Sequence, residues 1–306
     1  MTPSIDLHGR VAIVTGAGRG LGRAYAIALA AAGAAVVVND LDEDGARATV
    51  QAIAGAGGRA VAEIAAVGSS EAADALVALA RSEFGRLDVL CTNAGVLRDR
   101  VLWKMTDEDF DLVIETHLRG TFTCARAAAI AMREQEQGGR ILVVGSPAGQ
   151  RGNFGQTNYA AAKAGIAAFA RTWAMELARA KVTVNAVIPT AWTAMVETIP
   201  AFAPIAEIIA DGKPLPRGVR RDHGIGMPEE CAPLVVFLAS DAAADISGQC
   251  IGLGGDRLAL WSHPAEAVTL FNDGGWDAEQ IAAAWEEKLG DARQPVGMQF
   301  GELDLG

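Results

Sequence analysis

The stretch VAIVTGAGRGLGRAYAIALAAAGAAVVVND, residues 11–40, opens on an apolar run, breaks at a cluster of glycines, continues as an alanine-rich segment of helical length, and closes on a second apolar run that ends in an acid. A strand, a glycine turn, a helix and a second fully apolar strand form a β-α-β unit. Continuous apolar strands of this kind belong to a parallel sheet covered on both faces. Gly16, Gly18, Gly20 and Gly22 allow the backbone to approach a ligand closely, and the helix start adds N–H donors and the positive end of a dipole. The spacing reads T-G-x-x-x-G-x-G, because Leu21 takes the third glycine position of G-x-G-x-x-G. A tight turn without a ligand needs similar glycines, so the turn alone leaves both readings open.

Asp40 follows Gly16 by twenty-four residues and ends the second run. A carboxylate there can accept both hydroxyls of an adenosine ribose and would repel a 2′-phosphate, which points to NAD over NADP. Arg19, inside the glycine loop, pulls the other way.

The alternation continues outward from this unit. Apolar runs recur at 59–67, 87–95, 139–146, 181–189 and 248–255, separated by Ala/Glu/Arg-rich stretches long enough for crossover helices. The expected fold is α/β, a single doubly wound Rossmann domain over residues 1–255 with a parallel seven-stranded sheet and ligands at the carboxyl edge. The interval 190–226 breaks the rhythm with Pro200, Pro204, Pro214 and Pro216, and a connection of that length reads as a substrate lid. Residues 256–306 form a C-terminal extension with one helix. Asp277 and Gln280 suggest a capping box and Gly290 a helix stop. The extension is expected to pack on the domain or on an oligomer seam.

Composition narrows the partners. The 306-residue chain carries 26 Lys+Arg against 37 Asp+Glu, a net charge of −11, with no basic tract. That argues against nucleic acid and anionic membranes, both of which reward clustered positive charge. Four scattered cysteines make no CxxC pair, and the four histidines show no ligand spacing, so neither a disulfide framework nor a metal site is expected. With no signal-like N-terminus and no run of about 18 apolar residues, the chain reads as soluble and cytoplasmic, acting on a small molecule.

A second motif lies far along the chain. In YAAAKAG, residues 159–165, Tyr159 and Lys163 stand four apart and share one helix face. A cation so placed can favour the phenolate, although a bare YxxxK also describes an interfacial Tyr beside a solvated Lys. With TGAGRGLG at 15–22, NAG at 93–95, Ser146 thirteen residues before Tyr159, and the Tyr159/Lys163 pair in order, the chain resembles the classical short-chain dehydrogenases/reductases from about residue 7 to 255. The resemblance implies Tyr159 as general acid/base, Lys163 binding the nicotinamide ribose and lowering the tyrosine's pKa, and Ser146 hydrogen-bonding the reacting oxygen. It assigns Gly16, Gly18, Arg19, Gly20, Leu21, Asp40, Asn93, Ala94, Gly95, Pro189 and Thr193, with Tyr159 and Lys163, to the cofactor. Longer matches sharpen it: NAGVLRDR (93–100), HLRGTF (117–122) and GNFGQTNYAAAK (152–163) are similar to the (3R)-hydroxyacyl-CoA dehydrogenase part of peroxisomal multifunctional enzyme type 2 and its bacterial relatives. That implies a 3-hydroxyacyl thioester or hydroxysteroid substrate, NAD as oxidant, and a homodimer or homotetramer.

Three positions depart from the wider family. His117 stands where the family has a relay asparagine; an imidazole can pass a proton between its two nitrogens, and it can equally be a hydrogen-bonded structural residue. Ala66 replaces the adenine-side aspartate, and Thr190 replaces the glycine after Pro189. Arg98 and Arg100 read either as contacts for CoA phosphates or as solvated surface charges. A rival activity is NADPH-dependent reduction of a 3-oxoacyl thioester, which Asp40 opposes. A nucleotide sensor without turnover would be expected to lack Ser, Tyr or Lys, and all three are present.

Overall fold

The structure is a computed structural model that describes residues 5–197 and 202–297. Eight strands form one sheet: β1 Val11–Thr15, β2 Ala35–Asp40, β3 Arg59–Ile64, β4 Val89–Thr92, β5 Gly139–Val144, β6 Val182–Pro189, β7 Cys250–Gly254 and β8 Arg257–Trp261. Their order is β3-β2-β1-β4-β5-β6-β7-β8. The first seven lie parallel, each in its expected place. The eighth is an addition: β8 doubles back after Gly254 and pairs antiparallel with β7, Cys250 opposite Trp261. The sheet therefore runs past the expected boundary at 255. Chain order reverses between β1 and β4, and in open α/β sheets ligands bind at the carboxyl end of such a switch point.

The strands read as unbroken apolar runs because both faces are covered. Val14, Val36 and Val38 point into one core with Tyr25, Leu29, Cys231 and Leu238, while Ile13 and Val37 point into the other with Leu76, Met132, Ile141 and Ile166. The first face is built by α1 (Gly20–Ala31), α2 (Glu43–Gly55) and, late in the chain, α11 (Pro228–Ala239); the second by α3 (Ser70–Phe84), α5 (Gly120–Gln135) and α7 (Thr157–Glu176). Local chemistry sets the helix ends. The Ser69 hydroxyl accepts from Ala72 N at the start of α3, and Gly85, at φ 84°, ends it in the left-handed conformation. Thr106 caps α4 (Asp107–Val113), whose first turn holds three acids. Between α4 and α5 the helix widens into a π turn, Ile114–Arg119.

The described residues of the interval 190–226 are not a structureless loop. They hold α8 (Ala194–Glu197), α9 (Ala203–Ala210) and α10 (Arg217–Arg221), and a small core of their own around Trp192, Phe202, Ile205, Leu215, Val219 and Ile225. Pro204 lies in the first turn of α9 and Pro216 is the N-cap of α10, positions where the missing N–H costs nothing. Pro200 lies outside the described residues. After α6 (Pro147–Arg151), described below, the last regular helix is α12 (Ala278–Ala284), where Asp277 and Gln280 form the expected capping box. Gly290 corrects the sequence reading: at φ −58° it stays right-handed, and the turn runs on through a wide segment and a 3-10 turn to Ala292. Among the described residues no helix is long and apolar enough to cross a membrane, and no three His, Cys, Asp or Glu could together hold a metal ion.

Candidate active site

The carboxyl ends of β1, β2, β4, β5 and β6 carry the sequence-predicted residues to one edge of the sheet. At β1 the chain turns through Gly16 (φ 63°) and Gly20 (φ 54°) into α1. A Cβ on Gly16 would stand 2.6 Å from Ala94 Cα, and one on Gly22 would stand 2.1 Å from Gly16 O. The turn, the helix and the NAG segment thus pack too closely for a β-carbon at either glycine. A Cβ on Gly20 would meet nothing within 4 Å, so this part of the turn faces open space. Arg19 at the N-cap of α1 makes no side-chain capping bond, and the first turn holds no acid. Uncapped N–H groups at a helix start suit an anion such as a pyrophosphate.

Asp40 is fixed at the end of β2. Its Oδ2 accepts from Gly18 N at 2.8 Å and its Oδ1 from Asp42 N at 3.0 Å. A Cβ on Gly18 would lie 2.9 Å from that Oδ2, so glycine is what lets the acid close on the turn. Asn93 ties β4 to β1, donating from Nδ2 to Thr15 O and Gly16 O. Thr15, which the sequence reading passed over, accepts through Oγ1 from both Asn93 N and Ala94 N. The only sequence sign of that role is its place directly before the first glycine. Ala66 lies exposed just beyond β3.

The chemistry-bearing group gathers at β5 and α7. Ser146 caps α6, its hydroxyl accepting from Ala148 N at 3.2 Å, and lies near enough to Tyr159 to pull that phenol's pKa down. Lys163 is buried; its Nζ donates to Val144 O at 2.6 Å and lies 5.6 Å from the centre of the Tyr159 ring. Gly149 makes the packing of α6 on α7 possible, since a Cβ there would come within 2.5 Å of the Lys163 backbone. Asn158, fully buried, donates to Arg98 O and Asp109 O, holding the start of α7 against the segment after β4. Asp99 was also missed. It accepts from Gln156 Nε2 at 2.8 Å and lies near enough for its charge to act on Tyr159. Polar residues among the small ones just before Tyr159 were the available signal.

With the protein's own groups alone, the Tyr159 pKa is raised, first by burial, with the nearby Ser146 hydroxyl opposing and the Asp99 charge adding to it. Burial also pulls Lys163 down to about 7, so the ammonium meant to stabilise the phenolate is itself only partly charged at neutral pH.

His117 sits on the π turn, and its ring meets Tyr159 edge-on, centroids 5.2 Å apart at 84°. Nε2 lies 2.8 Å from Val96 O and 3.1 Å from Val96 N, and one nitrogen cannot serve both at once. Nδ1 is buried without a hydrogen-bond partner. Burial, then the charge of Lys163, pushes the His117 pKa down to about 3, so the imidazole is neutral at ordinary pH. A Cβ on Gly95 would fall 2.2 Å from its Cε1, which makes that glycine a condition for the ring's position.

Pro189 and Thr193 lie on the same edge: Pro189, the last residue of β6, pairs with Leu253 of β7, and Thr193 O accepts from Val196 N and Glu197 N of α8. Arg98 and Arg100 are exposed and approach Asp109 only at 3.9 and 4.0 Å.

The chain matches the family model described as short chain dehydrogenase over residues 10–202. It is 40% identical over 322 residues to hydroxyacyl-CoA dehydrogenase ChsB1 of Mycobacterium tuberculosis, covering 99% of this chain and 95% of that one. It is 37% identical over 311 residues to mouse peroxisomal multifunctional enzyme type 2, covering 98% of this chain but 39% of that protein. A 3-oxoacyl-[acyl-carrier-protein] reductase of Synechocystis is 44% identical over 255 residues, with 82% and 98% covered. Among solved structures, a short chain dehydrogenase from Mycobacterium avium superposes with a TM-score of 0.82 at 37% identity, covering 96% of this chain and 99% of that one.

Proposed function

The chain belongs to the short-chain dehydrogenases, as a family match over residues 10–202 and full-length relatives at 37–40% identity require, and from that premise we propose that it interconverts a secondary alcohol and a ketone on a 3-hydroxyacyl-CoA or hydroxysteroid-type substrate with NAD. The observation that carries the reading is the joint placement of Ser146, Tyr159 and Lys163, with Lys163 Nζ anchored on Val144 O beside the Tyr159 ring. The hydroxyacyl-CoA part of that substrate class is supported by the mycobacterial relative, a hydroxyacyl-CoA dehydrogenase.

In this reading the uncapped glycine turn holds the pyrophosphate, Asp40 holds the adenosine ribose, and Asn93, Ala94, Gly95, Pro189 and Thr193 line the remainder with Arg19 and Leu21. The bound dinucleotide supplies the hydride acceptor in one direction and the donor in the other. Ser146 Oγ orients the substrate oxygen by a hydrogen bond, and Tyr159 Oη takes the proton from the carbinol or returns it to the ketone. Lys163 holds the ribose and tunes Tyr159. His117, neutral and with Nδ1 unpartnered, passes the proton onward. The segment 190–226 acts as the lid, the extension beyond β8 packs on the domain or on an oligomer interface, and the protein works as a homodimer or homotetramer in the cytoplasm.

The Synechocystis relative favours a second reading, NADPH-dependent reduction of a 3-oxoacyl thioester. A rate screen with 3-hydroxyacyl-CoA, hydroxysteroid and simple secondary alcohols, each with NAD and NADP, tests both. The proposal expects the highest kcat/KM with NAD and an acyl-CoA or steroid alcohol. Turnover confined to NADPH and a 3-oxoacyl thioester establishes the second reading, and dinucleotide binding without any turnover establishes a sensor.

A further inference from the structure

The opposite, amino edge of the sheet carries a cluster that the proposed reaction does not use. Arg10 precedes β1, Arg86 and Asp88 precede β4, Arg140 lies at the start of β5, and Asp241 follows α11. Together with the Gln137–Gly139 turn they line a polar cavity of about 280 Å³. His8 also faces it, held by Asp6 outside the lining.

The charges in this cavity do not balance locally. Arg86 and Asp88 make a closed pair through two bonds, Nε to Oδ2 at 2.8 Å and Nη2 to Oδ1 at 2.5 Å. Asp88 Oδ2 also takes the Val11 N–H. Arg10 and Arg140 share a single carboxylate oxygen: Arg10 Nη2 contacts Asp241 Oδ1, and Arg140 Nη2 lies 3.5 Å from the same atom. The Asp241 side chain is 80% exposed, whereas that of Arg140 is 8% exposed. The other Arg140 bonds run to Ser240 O at 3.4 Å and to its own neighbour Gly139 O at 3.1 Å. Its five N–H donors thus have three contacts, two of them long. Three guanidiniums face two carboxylates, which leaves one positive charge in excess in a chain whose net charge is −11.

We infer that this cavity is a binding site for a small tetrahedral oxyanion, a phosphate or phosphate-like dianion. Guanidinium forks match such an ion with paired N–H···O bonds, and a buried, under-partnered arginine is costly until an acceptor completes it. The ion would bridge Arg10 and Arg140, the two cations that share Asp241.

Calorimetric titration of the full chain with sodium phosphate, at ionic strength held constant with sodium chloride, tests the site. Saturable binding is expected, with affinity falling about 10-fold in Arg140→Gln. Arg140 is buried and its loss can disturb folding, so Gln137→Glu provides the second variant: the residue is exposed on the rim, and the added carboxylate should weaken phosphate several-fold by repulsion. Sulfate should compete and acetate should not. Glycerol 3-phosphate, run beside inorganic phosphate, shows by the tighter of the two whether an ester or the free ion is the natural form. Unsaturable heats in the wild type, acetate competing as well as sulfate, or unchanged affinity in Gln137→Glu and in folded Arg140→Gln would overturn the assignment. The last result would place the phosphate elsewhere, as on the glycine turn of α1.

Discussion

Replacing Tyr159 by Phe removes one oxygen and leaves the ring packed against His117, so turnover is expected to fall by about 10²–10⁴-fold with dinucleotide affinity nearly unchanged. Steady-state rates and a binding titration check this, and turnover within a few-fold of wild type would refute the role. Lys163→Ala should lower both rate and affinity, because one ammonium is proposed to serve ribose and phenol together. His117 gives a prediction for pH. Its folded pKa of about 3 lies below the 6.5 of the unfolded chain, so between these values the unfolded state binds a proton that the folded state refuses. Stability should therefore fall on acidification through that window. Melting temperatures of His117→Asn against wild type from pH 7 to 4 should converge as pH drops, since the variant lacks this penalty; parallel curves would count against a buried neutral imidazole. If the ring also relays the proton, His117→Ala should lose most rate at low pH and recover part of it with added imidazole. The identities of Tyr159, Lys163 and Ser146 were legible in the chain. Their pKa directions were not, because burial is contributed by residues distant in sequence.

The β1 turn with the end of β2 is where residue choice becomes backbone geometry. Gly22→Ala would set a Cβ 2.1 Å from Gly16 O and 2.5 Å from Asn93 Nδ2, neither free to yield, and is expected to destabilise by about 1–3 kcal/mol or more. Gly55, the last residue of α2, has nothing within 4 Å of its would-be Cβ, and Gly55→Ala should stabilise by roughly 0.4–1 kcal/mol. Chemical denaturation of the two variants gives opposite signs if the turn is as closely packed as described. Asp40→Ala should relax a preference for NAD over NADP, read as the ratio of kcat/KM values; a wild type that uses both equally would show that Arg19 decides. The π turn that carries His117 had no signal in the chain. IETHLR has ordinary helical composition, and the wider turn lies in contact with α4, α5 and α7, which the local sequence does not show.

At the scale of the whole molecule, β8 shows where one-dimensional reading ends. Ending the chain after Pro264 should keep the sheet intact. Ending it after Gly255 should bare the β7 edge and remove Trp261 from the second core, lowering the melting temperature by several degrees and promoting aggregation. Equal melting temperatures would mean that β8 contributes nothing to the domain. The exposed Phe122 and Ile130 on α5 and Met175 on α7, with Phe122 beside Phe169, support the proposed homo-oligomer, and light scattering should return a dimer or tetramer mass. Seven parallel strands, the glycine turn, Asp40 and the Ser146–Tyr159–Lys163 order were determined by the sequence itself, because each is written in local hydrophobic period or in a spacing that one element carries. The eighth strand, the edge-on approach of His117 to Tyr159, the Val144 carbonyl that anchors Lys163, the raised Tyr159 pKa and the shared Asp241 were decided only by the tertiary structure. Each depends on backbone atoms or burial supplied by segments far apart in the chain, and neither is a property of residue order.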